Sequence, residues 1–220
     1  MEKKIKKIIL IIPLLIISFL IINFYKAKGC NYPYTEHRAI MYFQYNGLNC
    51  PYIIVYCCWW DSQNNRLNVY FKEVWNWLSC KIHSNDWNIF RNAMMTKMYN
   101  DAITKCAPPL PPCDPLPPPT ITVTIPSCFY YENALVVKFP GDDPVWMLKL
   151  KNCGLAGKCE ERLIVCIDYS KNPAEIVTLL DECEVIEEPF CGFDEPDIPP
   201  QGKSWEEAWL TDCFAKPCCP

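Results

Sequence analysis

The chain has 220 residues, of which 50% are hydrophobic and 14% aromatic, and its formal net charge is −4 at pH 7. It contains 16 cysteines and 21 prolines but only 7 glycines. The acidic balance argues against a nucleic-acid-binding protein, which needs excess positive charge. The aromatic content argues against a disordered chain.

The N-terminal segment has the form of a secretory signal peptide. A cluster of lysines precedes an apolar run from Ile8 to Ile22, and Ala27-Lys28-Gly29 places small residues before Cys30. We therefore predict a signal peptide over residues 1–29, so that the protein meets the membrane only transiently. The alternatives are an uncleaved anchor, although a spanning helix needs about 20 apolar residues, and a lipid anchor on Cys30.

Cleavage there would remove six lysines and one glutamate and leave a net charge of about −9. We therefore expect no nucleic-acid partner for the mature protein. No Asn-x-Ser/Thr sequence occurs, so nothing requires a glycosylating secretory pathway. With the Lys- and Ile-rich signal, this favours a bacterial exported protein.

All 16 cysteines follow the signal segment. An even number of cysteines in an exported chain predicts a disulfide framework, here of up to eight bridges, whose pairing the sequence leaves open. The candidate bridge residues are Cys30, Cys50, Cys57, Cys58, Cys80, Cys106, Cys113, Cys128, Cys153, Cys159, Cys166, Cys183, Cys191, Cys213, Cys218 and Cys219.

Residues 30–107 are predicted to form an N-terminal β unit that ends in a helix. Three β-rich stretches, near residues 38–45, 52–60 and 67–77, form a meander, and Asn46-Gly47 is a strong hairpin signal between the first two. The adjacent Cys57 and Cys58 should point to opposite faces and serve different bridges. Ser84-Asn85-Asp86 would cap a helix running to about Lys105. Its stripe of Trp87, Phe90, Met94, Met98 and Ala102 would pack on the meander.

Residues 108–119 hold eight prolines and are predicted to be a semi-rigid polyproline linker between two domains. The segment could also bind a proline-reading partner. Cys113, which lies inside it, favours a linker that a disulfide pins in place.

Residues 120–220 are predicted to form a second β unit with a short helix and a cysteine-rich tail. Its strands should lie near residues 120–125, 135–139, 145–150, 163–167 and 176–180, with an extension of the set at 184–186. Ser204 followed by Glu206 and Glu207 predicts a helix over residues 203–210.

The two halves share a pattern that suggests duplication. Cys50 and Cys57 flank one β-rich run and Cys159 and Cys166 flank another, and in both cases a turn and a second β-rich run follow. The fold class expected is therefore mainly β, with two tandem disulfide-stapled sandwich-like units, each with a short C-terminal helix. Low identity outside the cysteines leaves coincidence as the alternative.

No catalytic constellation stands out, and we expect no enzyme activity and no cofactor. The histidines are His37 and His83, and the cysteine framework competes with any Cys–His nucleophile pair. Cys153, Cys159 and Cys166 could be zinc ligands, but their wide spacing and export favour disulfides. Two acidic clusters could bind calcium, although neither has the pattern of an EF-hand loop. They are Asp142 with Asp143, and Asp194, Glu195 and Asp197.

The sequence therefore favours a secreted, disulfide-rich structural subunit of an extracellular or cell-surface assembly, such as a self-associating filament. Disulfides resist conditions outside the cell, and β edges can accept a neighbour's strand. The alternative is a monomeric secreted adhesion module that binds glycans through exposed aromatic residues. The candidate sugar-stacking residues are Trp59, Trp60, Trp75 and Trp77.

Overall fold

The computed structural model describes residues 30–45, 47–76, 80, 86–114, 118–137, 143–154 and 157–219. The predicted signal peptide lies outside this part of the chain, as do Asn46, Trp77, His83 and Asp142. Within the described residues, no helix is both long enough and apolar enough to span a bilayer. The segment before residue 36 contains a turn in which the Tyr34 N–H donates to the Asn31 carbonyl at 2.9 Å.

Within the described part of the chain the protein is mainly β, with 52% of those residues in strands, one helix and one mixed sheet. The strands are β1 (Thr35–Tyr45), β2 (Leu48–Asp61), β3 (Arg66–Asn76), β4 (Thr120–Pro126), β5 (Cys128–Val136), β6 (Val145–Asn152), β7 (Lys158–Asp168), β8 (Glu175–Glu187), β9 (Trp209–Leu210) and β10 (Phe214–Ala215). The helix, α1, spans Trp87–Cys106.

Strand β3 is the branch point of the sheet. It pairs along one side with β2, in antiparallel orientation. On the other side, its first half from Arg66 to Tyr70 runs parallel to β4, and its second half from Glu73 to Asn76 runs antiparallel to β6. One branch continues from β4 through β7 to β8, and the other from β6 to β5, which also pairs with β9 and β10.

The two tandem sandwich-like units expected from the sequence are not confirmed. Strands from both sides of the proline-rich segment pair directly at β3, and their inward faces share one hydrophobic cluster. The physical reason is burial. The meander of β1, β2 and β3 covers its apolar face with α1, and α1 in turn is covered by side chains of the second half.

Helix α1 lies at the centre of this core because its apolar stripe is wide. Met94, Met98 and Ala102 have no exposed surface. The ring centroid of Phe90 lies 4.7 Å from that of Tyr52 on β2, and that of Trp87 lies 6.0 Å from Phe129 on β5. The predicted Met and aromatic stripe is thus core packing. Asp86 occupies the N-cap position, but its side chain makes no capping hydrogen bond.

The second helix expected over residues 203–210 is not confirmed. The Glu207 carboxylate accepts the Ser204 N–H at 2.8 Å, as a helix cap would, but turns and then β9 follow. The Asn133 side-chain amide donates to the carbonyls of Trp205 and Glu207, at 3.0 and 2.8 Å. In a continued helix, those carbonyls would accept hydrogen bonds from backbone N–H groups one turn further on. Their hydrogen bonds with Asn133 on β5 therefore take the place of the helical ones.

The described part of the proline-rich segment is pinned to β7. The Cys113 N–H donates to the Ile167 carbonyl at 3.1 Å, and the Ile167 N–H donates to the Pro111 carbonyl at 3.0 Å. A disulfide joins Cys113 to Cys166. The segment therefore lies against the sheet as an additional short strand-like contact.

Gly157 permits a close approach of three segments just before β7. Its φ is +124°, and a Cβ there would lie 2.4 Å from Ser127 Oγ and 2.8 Å from Pro189 Cα. Gly154 also has a positive φ of +69°, but a Cβ would meet no atom within 4 Å. A side chain is thus excluded at Gly157 by contact as well as by backbone conformation.

Candidate functional site

The predicted disulfide-bonded, cysteine-rich β protein is confirmed, and all sixteen cysteines are disulfide-bonded. Within the described part of residues 36–220, the bridges are Cys50–Cys80, Cys58–Cys106, Cys113–Cys166, Cys128–Cys191, Cys153–Cys213, Cys159–Cys218 and Cys183–Cys219. Cys30 and Cys57 are disulfide-bonded as well.

The bridges tie sequence-distant segments to the sheet. Cys58–Cys106 joins β2 to the end of α1, and Cys159–Cys218 joins β7 to the C-terminal tail. The candidate zinc ligands Cys153, Cys159 and Cys166 belong to three different bridges, so their sulfurs are not thiolates. The framework therefore holds the strands in place.

Arg91 on α1 connects the helix, β7 and the tail. Its guanidinium pairs with the Glu161 carboxylate, and its Nε donates to the Cys218 carbonyl at 2.6 Å. The two side chains are only 2% and 7% exposed. Burial raises the pKa of Glu161, and the nearby Asp181 charge raises it further, whereas Arg91 partly offsets both.

A pocket of about 280 Å³ opens beside this pair and includes Thr96, Tyr99 and Asp181 in its lining. Arg91 makes its hydrogen bonds within the protein, to Glu161, Cys218 and Asn92. Because those contacts hold the helix, β7 and the tail together, we assign the pair a structural role.

A second charged pair holds the C-terminal tail at Lys216. Lys216 Nζ lies 2.7 Å from Glu195, whose other oxygen accepts the Tyr131 hydroxyl at 2.5 Å. The Lys216 ammonium also lies 5.3 Å from the centre of the Trp87 ring. Both carboxylate oxygens of Glu195, from the acidic cluster suggested for calcium, thus accept hydrogen bonds from protein donors.

His37 lies among groups that are already engaged. Its ring stacks on Tyr56 with a centroid distance of 5.8 Å, and the Tyr56 hydroxyl donates to Asp101 at 2.6 Å. Burial raises the pKa of Tyr56, and Asp101 raises it further. The sulfurs of Cys58 and Cys106 are near His37, but they form one disulfide, so they offer no thiolate.

The tryptophans proposed for sugar stacking are largely covered. Trp75 is 8% exposed, and its ring carries Arg38 at 4.9 Å and Lys149 at 4.7 Å. Trp59 and Trp60 are partly buried, and Trp60 packs against the main core. Phe190 and Phe193 are far more open to solvent than these tryptophans, at 85% and 78% exposure. No sequence pattern marked these two residues.

Strand β8 is the most open long element of the described chain. It has 13 residues, none of them buried, and it pairs with β7 alone. About half of its backbone N–H and C=O groups therefore point away from the sheet. The strand carries both acidic and exposed apolar side chains, and the exposed apolar residues are Ile176, Leu179, Val185 and Ile186.

Bridges and pairing hold this edge in an extended form. The register between β7 and β8 runs from Lys158↔Glu187 to Asp168↔Glu175, and Cys183 near the middle of β8 is bonded to Cys219. An extended strand with one unpaired side can add a strand from another chain by main-chain hydrogen bonding. The sequence predicted a strand here but not its edge position.

These features define the protein as mainly β and disulfide-rich, with a long sheet edge that no other described strand covers. The chain matches no known protein family, no curated protein and no solved structure. Its function is accordingly inferred from the geometry of its own residues.

Proposed function

We propose that the protein is a secreted structural subunit of an extracellular or cell-surface assembly that grows by strand addition. The observation that carries this proposal is the β8 edge, which is 13 residues long and, among the described strands, paired on one side only. A strand of this length spans about 43 Å. Long edges with exposed apolar side chains promote association, and monomeric proteins usually block or cover them.

The disulfide framework is a second, independent argument for the proposal. Bridges persist in oxidising environments outside the cytosol, and removing a native disulfide from a small secreted domain typically costs about 2–5 kcal/mol. The two bridges from the tail, to Cys159 and Cys183, hold β7 and β8 where a neighbouring chain would pull on them. A subunit that carries load through β8 needs that kind of anchor.

The exposed side chains of β8 also fit this role. Ile176 is 47% and Leu179 is 55% exposed, and an added strand would cover part of this apolar surface. Burial of apolar area contributes roughly 25 cal/mol per Å². The glycan-binding alternative lacks comparable support, since Trp75 is covered by two cationic side chains.

The test is assembly of the oxidised mature protein, residues 30–220, followed by sedimentation velocity and negative-stain electron microscopy over a range of concentrations. We expect large, elongated species. Ile176→Lys, which places a charge on the β8 edge, should weaken assembly. Ile89→Lys is the matched control, because Ile89 is a 66% exposed isoleucine on α1.

A wild-type protein that stays monomeric at every concentration would overturn the proposal. Equal effects of the two lysine substitutions would also count against it, because they would show that β8 has no special part in assembly. A glycan-binding screen on the monomer would then address the alternative.

A further inference from the structure

The chain itself contains a strand suited to the β8 edge. We propose, on the basis of the proposed function above, that β8 of one copy pairs with residues 38–44 of β1 in a second copy. Both segments are paired on one side only among the described strands, because β1 pairs with β2 and β8 pairs with β7. Their lengths also match, at 11 residues for the whole of β1 and 13 for β8.

Charge makes a symmetric β8–β8 contact unfavourable. Strand β8 carries five acidic residues and no lysine, arginine or histidine. Two copies related by a two-fold axis would place these acidic rows beside each other, and like charges on paired strands are destabilising. The β8 edge therefore selects a partner that is less acidic than itself.

Strand β1 meets this requirement. Its inward positions, Ala39 and Met41, are 3% and 6% exposed and already belong to the core. Within residues 38–44, the outward positions present Arg38 and then Ile40 and Tyr42, of which the last two are 54% and 66% exposed. Arg38 is 55% exposed at its side chain, although it lies 3.8 Å from Glu36 and 4.9 Å from the Trp75 ring. Pairing with β8 would bring one cation toward the acidic row and two apolar side chains toward its exposed apolar residues.

The topology makes this contact open-ended. The strands run in the order β1, β2, β3, β4, β7 and β8 across one sheet, so the two segments lie at its opposite edges. A contact between different edges is heterologous, and after each addition one β1 and one β8 remain open. Such a contact yields a linear polymer of continuous sheet unless its rotation closes into a ring.

Hydrogen exchange, measured by mass spectrometry on the assembled and monomeric full mature protein, tests the partner directly. Amides in residues 175–187 and in residues 38–44 should both become protected on assembly. Two charge reversals add an independent readout. Arg38→Glu and Glu182→Lys should each raise the concentration needed for assembly, by about tenfold for Arg38→Glu, whereas Lys203→Glu, on neither strand, should leave it unchanged.

The outcomes separate this inference from the proposed function. If the wild-type protein never assembles, both fail. If it assembles with protection in β8 but none in residues 38–44, or if Glu182→Lys strengthens assembly, the partner strand is wrong while the structural role stands. Protection of both segments together with weakening by both reversals would support the β1–β8 contact.

Discussion

Replacing Arg91 with methionine should destabilise the folded protein strongly at neutral pH. The substitution keeps the length and apolar stem of the side chain on α1 but removes the guanidinium. Glu161, whose side chain is 7% exposed, would then lie in the core without its positive partner. The Cys218 carbonyl would also lose its hydrogen bond from Arg91.

The magnitude follows from these contacts. Removing one partner of a buried ion pair costs about 3–5 kcal/mol, because the remaining charge is uncompensated. Replacing both partners with apolar residues of similar size is far less costly. The double variant Arg91→Met/Glu161→Leu should therefore recover at least about 2 kcal/mol relative to Arg91→Met alone.

The pH dependence has a defined sign. Burial and then the Asp181 charge raise the pKa of Glu161 above its ordinary value of 4.5, and Arg91 acts in the opposite direction. Losing Arg91 raises that pKa further. When a carboxyl has a higher pKa in the folded than in the unfolded state, the folded protein loses stability as pH rises through that pKa. The deficit of Arg91→Met should thus be small below pH 4.5 and grow toward pH 7.

Denaturant unfolding of the oxidised protein, followed by tryptophan fluorescence at pH 4 and pH 7, provides the measurement. The wild type, the single variant and the double variant would be compared at each pH. A loss below about 1 kcal/mol at pH 7, or a deficit that does not change with pH, would refute the assignment of Arg91 and Glu161 as a buried coupled pair.

Three further outcomes are expected. Gly157→Ala should cost at least about 2 kcal/mol in denaturant unfolding, because its new methyl group would clash, whereas Gly154→Ala should cost only about 1 kcal/mol of backbone strain. Tyr131→Phe should lower stability by about 1–3 kcal/mol in the same assay, since it removes a hydrogen bond to a carboxylate. Replacing both Cys128 and Cys191 with alanine should lower the free energy of unfolding by about 4 kcal/mol on loop-closure grounds, as measured by calorimetry.

Local sequence patterns predicted many of the elements. Strand β4 follows the alternation of Thr120-Ile121-Thr122-Val123-Thr124-Ile125, and α1 follows the Met and aromatic stripe to within one residue at its C-terminal end. These signals are local because they reflect burial of one face of a strand or helix. The bounds of strand β5 were predicted less well. A strand was predicted near residues 135–139, whereas β5 spans Cys128–Val136 and buries Phe129 and Tyr131.

The candidate site was only partly predictable. The apolar run from Ile176 to Leu180 is typical of a strand, but this sequence would fit a central strand buried on both faces as well as an edge strand. In the structure, none of the residues of β8 is buried, and β7 is the one described strand that pairs with it. The solvent exposure of Phe190 likewise could not be predicted from its neighbours in the sequence.

The sequence by itself determined the class of molecule: a cysteine-rich β protein whose cysteines form disulfides, with a helix that buries a Met and aromatic stripe. Composition and short-range periodicity suffice for these properties. Only the tertiary structure decided that strands of both halves pair with β3. It also decided that the carbonyls of Trp205 and Glu207 accept hydrogen bonds from Asn133 instead of from a second helix. The position of β8 at the end of the described sheet is a third such outcome. Such outcomes depend on which distant segments compete for the same backbone groups and the same apolar surface, and no local pattern records that competition.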